Sequence, residues 1–122
     1  MSGVIAILVL DDEPGVRQLF ESVLSADGYE VTSVGTAQHA LRLLKYKNFE
    51  MAILDLGLRD YDGLELVRQV REAHPGLSIL STGSVMTGTV PAKAVAAGAT
   101  ATLAKPVAPG ELRQAVSALI RG

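Results

Sequence analysis

The chain has 122 residues, 48% of them apolar and only 4% aromatic, with a formal charge of −2. That suits one domain of ordinary size with an aliphatic core, and it lacks the basic field that draws nucleic acid or anionic membrane. The absence of cysteine excludes disulfides, thiolate zinc sites and cysteine nucleophiles.

Residues 4–10 form a continuous apolar run rich in β-branched side chains, as a strand buried on both faces requires. The run is too short to span a bilayer, follows no basic segment, and ends in acids where a cleavage site would need small residues. A cytoplasmic location is the expectation. Pro14 opens a helix with Val16, Leu19, Phe20, Val23 and Leu24 on its inner face and Gly28 beyond its end. Residues 29–34 read as a second strand, and Thr36 as the N-cap of a helix burying Ala37, Ala40, Leu41 and Leu44. Residues 51–54 read as a third strand. Asp62 and Gly63 precede a helix carrying Leu64, Val67 and Val70, which stops before Pro75. Residues 78–81 are a short fourth strand, and Pro91 opens a helix of small residues ending near Gly98. Residues 100–103 are a fifth strand, and Pro109 opens a last helix with Leu112, Val116, Leu119 and Ile120. Leu119 and Ile120 either pack on the core or serve a dimer.

Five strand–helix units in succession predict a parallel sheet with helices on both faces. In such a sheet, functional groups gather beyond the carboxyl ends of the strands. The first strand ends in Asp11, Asp12 and Glu13, and the third in Asp55. If these two strands are neighbours, the carboxylates converge. Two unit charges ~4 Å apart repel by ~4 kcal/mol at an effective dielectric of ~20, so such a cluster takes a counter-charge or partly protonates. A hard divalent cation with oxygen ligands answers the repulsion, and Mg²⁺ is the usual one where phosphate chemistry follows. Glu13 and Asp62 read as solvated or capping acids. Lys105, after the fifth strand, can aim its ammonium at the carboxylates or at a phosphoryl oxygen, and the Pro106 that follows admits a cis bond. Thr82, followed by Gly83, places a hydroxyl at the same edge, where it either donates to an anion or caps a turn. His39 and His74 read as surface residues, and Arg42, Lys45 and Lys47 as the solvated face of the second helix.

Asp11-Asp12, Asp55, Asp62-Gly63, Thr82-Gly83, Gly98-Ala99 and Lys105-Pro106, in this order, resemble the receiver domain of bacterial response regulators over essentially the whole chain. The resemblance implies a flavodoxin-like (βα)5 α/β fold with strand order 2-1-3-4-5, residues 1–122 forming one receiver domain. It implies that Asp55 takes a phosphoryl group from a sensor histidine kinase or phosphotransfer protein. Asp12, Asp55 and the Gly57 carbonyl would ligate Mg²⁺, with Asp11 contributing through water. Lys105 would contact the phosphoryl group and Thr82 would be the switch hydroxyl. A downstream protein target or an effector domain would read the switch, without direct nucleic-acid or membrane binding by this domain. Homodimerisation is open to members of the family. The chain would be no enzyme beyond its own phosphorylation and dephosphorylation, and it ends without an effector domain, as a stand-alone or excised receiver would.

Three positions depart from that pattern. Thr102 stands where the family usually has an aromatic residue, which puts the usual ring-flip readout in doubt. Arg59 stands where proline is common, and is read as solvated or in contact with a partner or the phosphoryl group. Ser81 precedes Thr82 and competes for the switch role; Gly83 decides for Thr82. With Gly83, Gly88 and Gly98 around it, the fourth helix is expected to be short or residues 84–90 mobile. Two other functions compete. One is a receiver-like interaction module that works without phosphorylation, which Thr102 favours. The other is a small Mg²⁺-dependent phosphatase of the haloacid-dehalogenase kind, which would need an aspartate where Gly57 stands.

Overall fold

The computed structural model describes residues 3–122. Among these, five strands, β1 (Ala6–Leu10), β2 (Glu30–Val34), β3 (Met51–Asp55), β4 (Ser78–Gly83) and β5 (Ala101–Ala104), alternate with five helices. The helices are α1 (Pro14–Ala26), α2 (Ala37–Tyr46), α3 (Gly63–Ala73), α4 (Val90–Ala97) and α5 (Pro109–Arg121). Every strand pair is parallel and the order is β2-β1-β3-β4-β5, the flavodoxin-like arrangement.

Apolar alternation along the strands builds a core on each face of the sheet. Leu8, Leu10, Leu54 and Ile79 meet α2, α3 and Ala94 of α4 on one side. Ile7, Val9, Ile53 and Leu80 meet Phe20, Leu24 and Leu112 of α1 and α5 on the other. Each large aliphatic side chain so buried contributes about 1.5–3 kcal/mol. β1 and β3 are buried along their whole length, so β1 and residues 51–54 of β3 are unbroken apolar runs and Asp55 closes β3 as a buried acid.

Local chemistry sets the helix ends. Pro14 sits in the first turn of α1. Thr36 accepts from the backbone of His39, and Asp62 from those of Leu64 and Glu65, so both act as the N-caps expected of them. Gly28, Gly88 and Gly98 all take positive φ. α4 is short, at eight residues, and its N-cap Thr89 makes no side-chain capping bond.

Several boundaries and faces differ from the sequence reading. β1 begins at Ala6, where its register with Glu30 of β2 begins, and Val4 is 58% exposed. β3 and β4 run on through Asp55 and Gly83, because the ladders pair Asp55 with Thr82 and Gly83 with Ala104. Leu19, placed inside by periodicity, is exposed, and the buried stripe of α1 is Phe20, Val23 and Leu24. In α3 the fully buried leucine is Leu66, with Leu64 half-buried.

Ser81 and Thr82 are both buried, on opposite faces of β4: Ser81 shares the side of Ile79, Thr82 that of Leu80. The Ser81 Oγ has no hydrogen-bond partner among the described residues. An unsatisfied buried hydroxyl carries its full desolvation penalty, so Ser81→Ala is expected to stabilise by about 1 kcal/mol. The urea midpoint measures this, and a loss of that size would show the hydroxyl to be bonded in solution.

Candidate functional site

The acids that close β1 and β3 do meet. β1 and β3 are hydrogen-bonded neighbours, and carboxylate oxygens of Asp11, Asp12 and Asp55 lie within 4.8 Å of one another. Asp11 and Asp55 are buried, at 1% and 2% exposure, while Asp12 is half-buried.

Backbone amides hold two of these carboxylates in place. Asp11 Oδ1 accepts from the Glu13 N–H at 2.9 Å, and Asp55 Oδ1 from the Gly57 N–H at 2.9 Å. Lys105 supplies the main counter-charge. Its Nζ lies 2.7 Å from Asp11 Oδ2, 3.3 Å from Asp55 Oδ2 and 3.6 Å from Glu13 Oε1. The Lys105 N–H bonds the Gly83 carbonyl, which carries the β4–β5 ladder into this loop, and the Lys105–Pro106 bond is cis. Thr82 lies in register with Asp55 on the adjacent strand, buried on the same face of the sheet.

Burial pushes the Asp55 carboxyl up. The Gly57 N–H opposes this, the Asp11 charge adds to it and Lys105 opposes it, and the net shift is upward. For Lys105, burial pulls the ammonium down, but its hydrogen bond to Asp11 and the charges of Asp55 and Asp11 outweigh it, and the net shift is again upward. The Asp55 shift thus owes most to burial and less to the neighbouring Asp11 charge.

Hard oxygen donors at this spacing fit a small divalent cation such as Mg²⁺. Asp11 and Asp55 each have both oxygens engaged, Asp11 by Glu13 and Lys105 and Asp55 by Gly57 and Lys105, while both Arg59 contacts of Asp12 fall on Oδ2. Gly57 is exposed beside Asp55, with its N–H turned to that carboxylate. Two open grooves of ≈ 380 and ≈ 340 Å³ flank the cluster, one against Glu13, Phe20, Ser84 and Lys105, the other against Gly57, Gly83, Ser84 and Val85. A concavity of ≈ 650 Å³ lies at the opposite end of the sheet among Ile5, Phe49, His74, Leu77 and Ile120, and none of the clustered acids lines it.

The sequence reading did not find two contacts. Arg17 Nη1 donates to the Asp11 carbonyl at 2.6 Å, anchoring the β1 end to α1. Arg59 reaches Asp12 twice, through its backbone N–H at 3.1 Å and its Nε at 3.7 Å. Its side chain is 83% exposed, so the expectation of a solvated Arg59 holds for most of its surface and misses the contact. His39 is exposed, His74 is half-buried, and neither lies with the acids; Arg42, Lys45 and Lys47 are exposed as expected.

Gly63 positions the loop after Asp55. A Cβ on Gly63 would stand 2.4 Å from both the Cα and the carbonyl oxygen of Leu56. The start of α3 is thus pressed directly on the loop after Asp55. Gly63→Ala is expected to destabilise by about 2 kcal/mol through this overlap with backbone. Thermal melts measure the loss, and amide shifts at residues 55–57 should accompany it.

The sequence model of the response regulator receiver domain matches residues 7–117. Response regulator protein PilR of Pseudomonas aeruginosa is 32% identical over 114 residues, covering 93% of this chain and 26% of its own length. Alginate biosynthesis transcriptional regulatory protein AlgB of Pseudomonas putida is 32% identical over 111 residues, covering 91% and 25%. The chain spans about a quarter of the length of the curated relatives it matches. A response regulator receiver domain protein (CheY-like) from Methanospirillum hungatei superposes with a TM-score of 0.91 at 27% identity, over 98% of this chain and 96% of that one. The chemotaxis response regulator CheY4 of Vibrio cholerae does so with a TM-score of 0.89 at 26% identity, over 95% and 98%.

Proposed function

The chain belongs to the response regulator receiver domain family, and from that premise we propose that Asp55 accepts a phosphoryl group from the phosphohistidine of a sensor histidine kinase or phosphotransfer protein. The observation that carries the reading is the convergence of Asp11, Asp12 and Asp55 with Lys105 on both Asp11 and Asp55. A carboxylate oxygen of Asp55 attacks phosphorus, the phosphorus–nitrogen bond breaks, and the donor imidazole keeps the electron pair. Asp12, Asp55 and the Gly57 carbonyl would hold Mg²⁺, with Asp11 contributing through water; the ion supplies charge neutralisation for the transferring group. Lys105 leaves its carboxylate partners for a phosphoryl oxygen, and Thr82, next to Asp55 in register, donates its hydroxyl to another. Water later cleaves the acyl phosphate, restoring the carboxylate and releasing inorganic phosphate.

The added charge of about −1.5 to −2 drives the switch. A downstream protein target or an effector domain reads it, and this domain itself contacts neither nucleic acid nor membrane. Among the described residues, no helix is long and apolar enough to cross a membrane. The chain turns over no external substrate. A second reading, an interaction module independent of phosphorylation, draws on Thr102, a small half-buried residue in register with Ser81 where the usual readout needs a ring.

The deciding experiment incubates the protein with a small phosphodonor and Mg²⁺ and follows intact mass. A base-labile, acid-stable adduct that disappears with chelator supports acceptance at the pocket. No adduct under any condition would leave the phosphorylation-independent module. Sustained hydrolysis of an external phosphoester would point to a phosphatase instead.

A further inference from the structure

We infer that Arg59 is the resident counter-cation of Asp12 and competes with divalent metal for that carboxylate, so that it sets how tightly the pocket binds its ion. The inference rests on the metal-pocket reading above. Among the described residues, the carboxylates of Asp11, Asp12, Glu13 and Asp55 pair with Lys105 and Arg59, which divide the work unevenly. Lys105 reaches Asp11, Asp55 and Glu13. Among the described residues, the ion pair recorded for Asp12 is with Arg59.

The two Arg59 contacts fall on one oxygen, Asp12 Oδ2, and differ in kind. The backbone N–H at 3.1 Å occupies one lone pair and leaves the other free, so it aims the carboxylate without blocking a ligand bond. The guanidinium, with Nε 3.7 Å from the same oxygen, adds a positive charge beside the acid cluster. An ion held by Asp12 would be repelled by that charge unless the side chain moved away. An 83% exposed side chain has room to do so. The balance is therefore electrostatic and screened by salt. Removing the guanidinium leaves a more negative pocket that still has its N–H donor.

Calorimetric titration with MgCl₂, with the Gly57 amide resonance as a second readout, tests this without any phosphodonor. Arg59→Ala is expected to lower the Mg²⁺ dissociation constant about two- to five-fold in dilute buffer, the scale of one exposed charge interaction. Arg59→Glu should lower it further, Arg59→Lys should stay near wild type, and the Ala effect should shrink as KCl rises. A merely structural Arg59 would weaken binding on removal, the opposite sign, and that result would overturn the inference. Equal affinity in wild type and Arg59→Ala, with binding lost in Asp12→Asn, would also overturn it while leaving the metal pocket intact. No saturable Mg²⁺ binding in either protein would overturn both.

Discussion

Asp55→Asn is expected to abolish the phosphoryl adduct, by at least about two orders of magnitude, while the protein folds no less stably than wild type. An amide lacks the anionic oxygen that attacks phosphorus. The stability half follows from burial. Asp55 is raised above its ordinary value of 3.8, first by burial and further by Asp11, with Gly57 and Lys105 pulling the other way. The folded state therefore holds the Asp55 proton more tightly than the unfolded chain does. Its favourable contribution is present below the unfolded value and is lost as pH rises through the raised folded one. Asparagine does not titrate, so the variant should gain on wild type across that window. Urea midpoints in chelator at stepped pH measure the gain, and an adduct of wild-type yield in the variant would remove Asp55 as acceptor.

Lys105→Met carries the largest expected loss of stability, about 3 kcal/mol at neutral pH without metal. Methionine keeps an unbranched apolar stem and removes the ammonium. Asp11 and Asp55, whose side chains are 1% and 3% exposed, then stand charged and without their cation. The sign with pH is fixed from both sides. Lys105 is raised above 10.5 despite burial, because Asp11 and Asp55 outweigh it, so its stabilisation is present below that value and lost as pH climbs through the folded one. In the variant, Asp55, already raised by burial, is relieved by protonation, so the deficit should narrow as pH falls toward its range. Added Mg²⁺ should recover part of it, since a ligand that binds only the folded state stabilises that state. Denaturation of both proteins with and without the ion gives all three comparisons. A deficit that is flat with pH would show that Lys105 acts through packing alone.

The five strand–helix repeats and the acids at the ends of β1 and β3 were legible because burial on both faces leaves unbroken apolar runs and charge marks where they stop. Strand ends were less so. That β4 continues through Thr82 and Gly83 depends on pairing with Asp55 and Ala104, residues far away along the chain. Leu19 and Leu66 show a different limit. A 3.6-residue period defines the centre of a helix stripe better than its margins, and only the packed neighbours decide which margin is covered. The Arg59 contact joins residues 47 apart, through a loop whose path no local pattern specifies. Lys105 could be placed at the site from its position after β5, but not its choice of Asp11 over Asp55 as nearest partner.

Ser81 and Thr82 share a single peptide plane and face opposite layers of the molecule. An amide plane is rigid, so a displacement of Thr82 toward Asp55 is expected to tilt Ser81 on the far side, beside Thr102, with which it is in register. A change at the acid cluster would then reach the side of α3 and α4 with no ring to rotate.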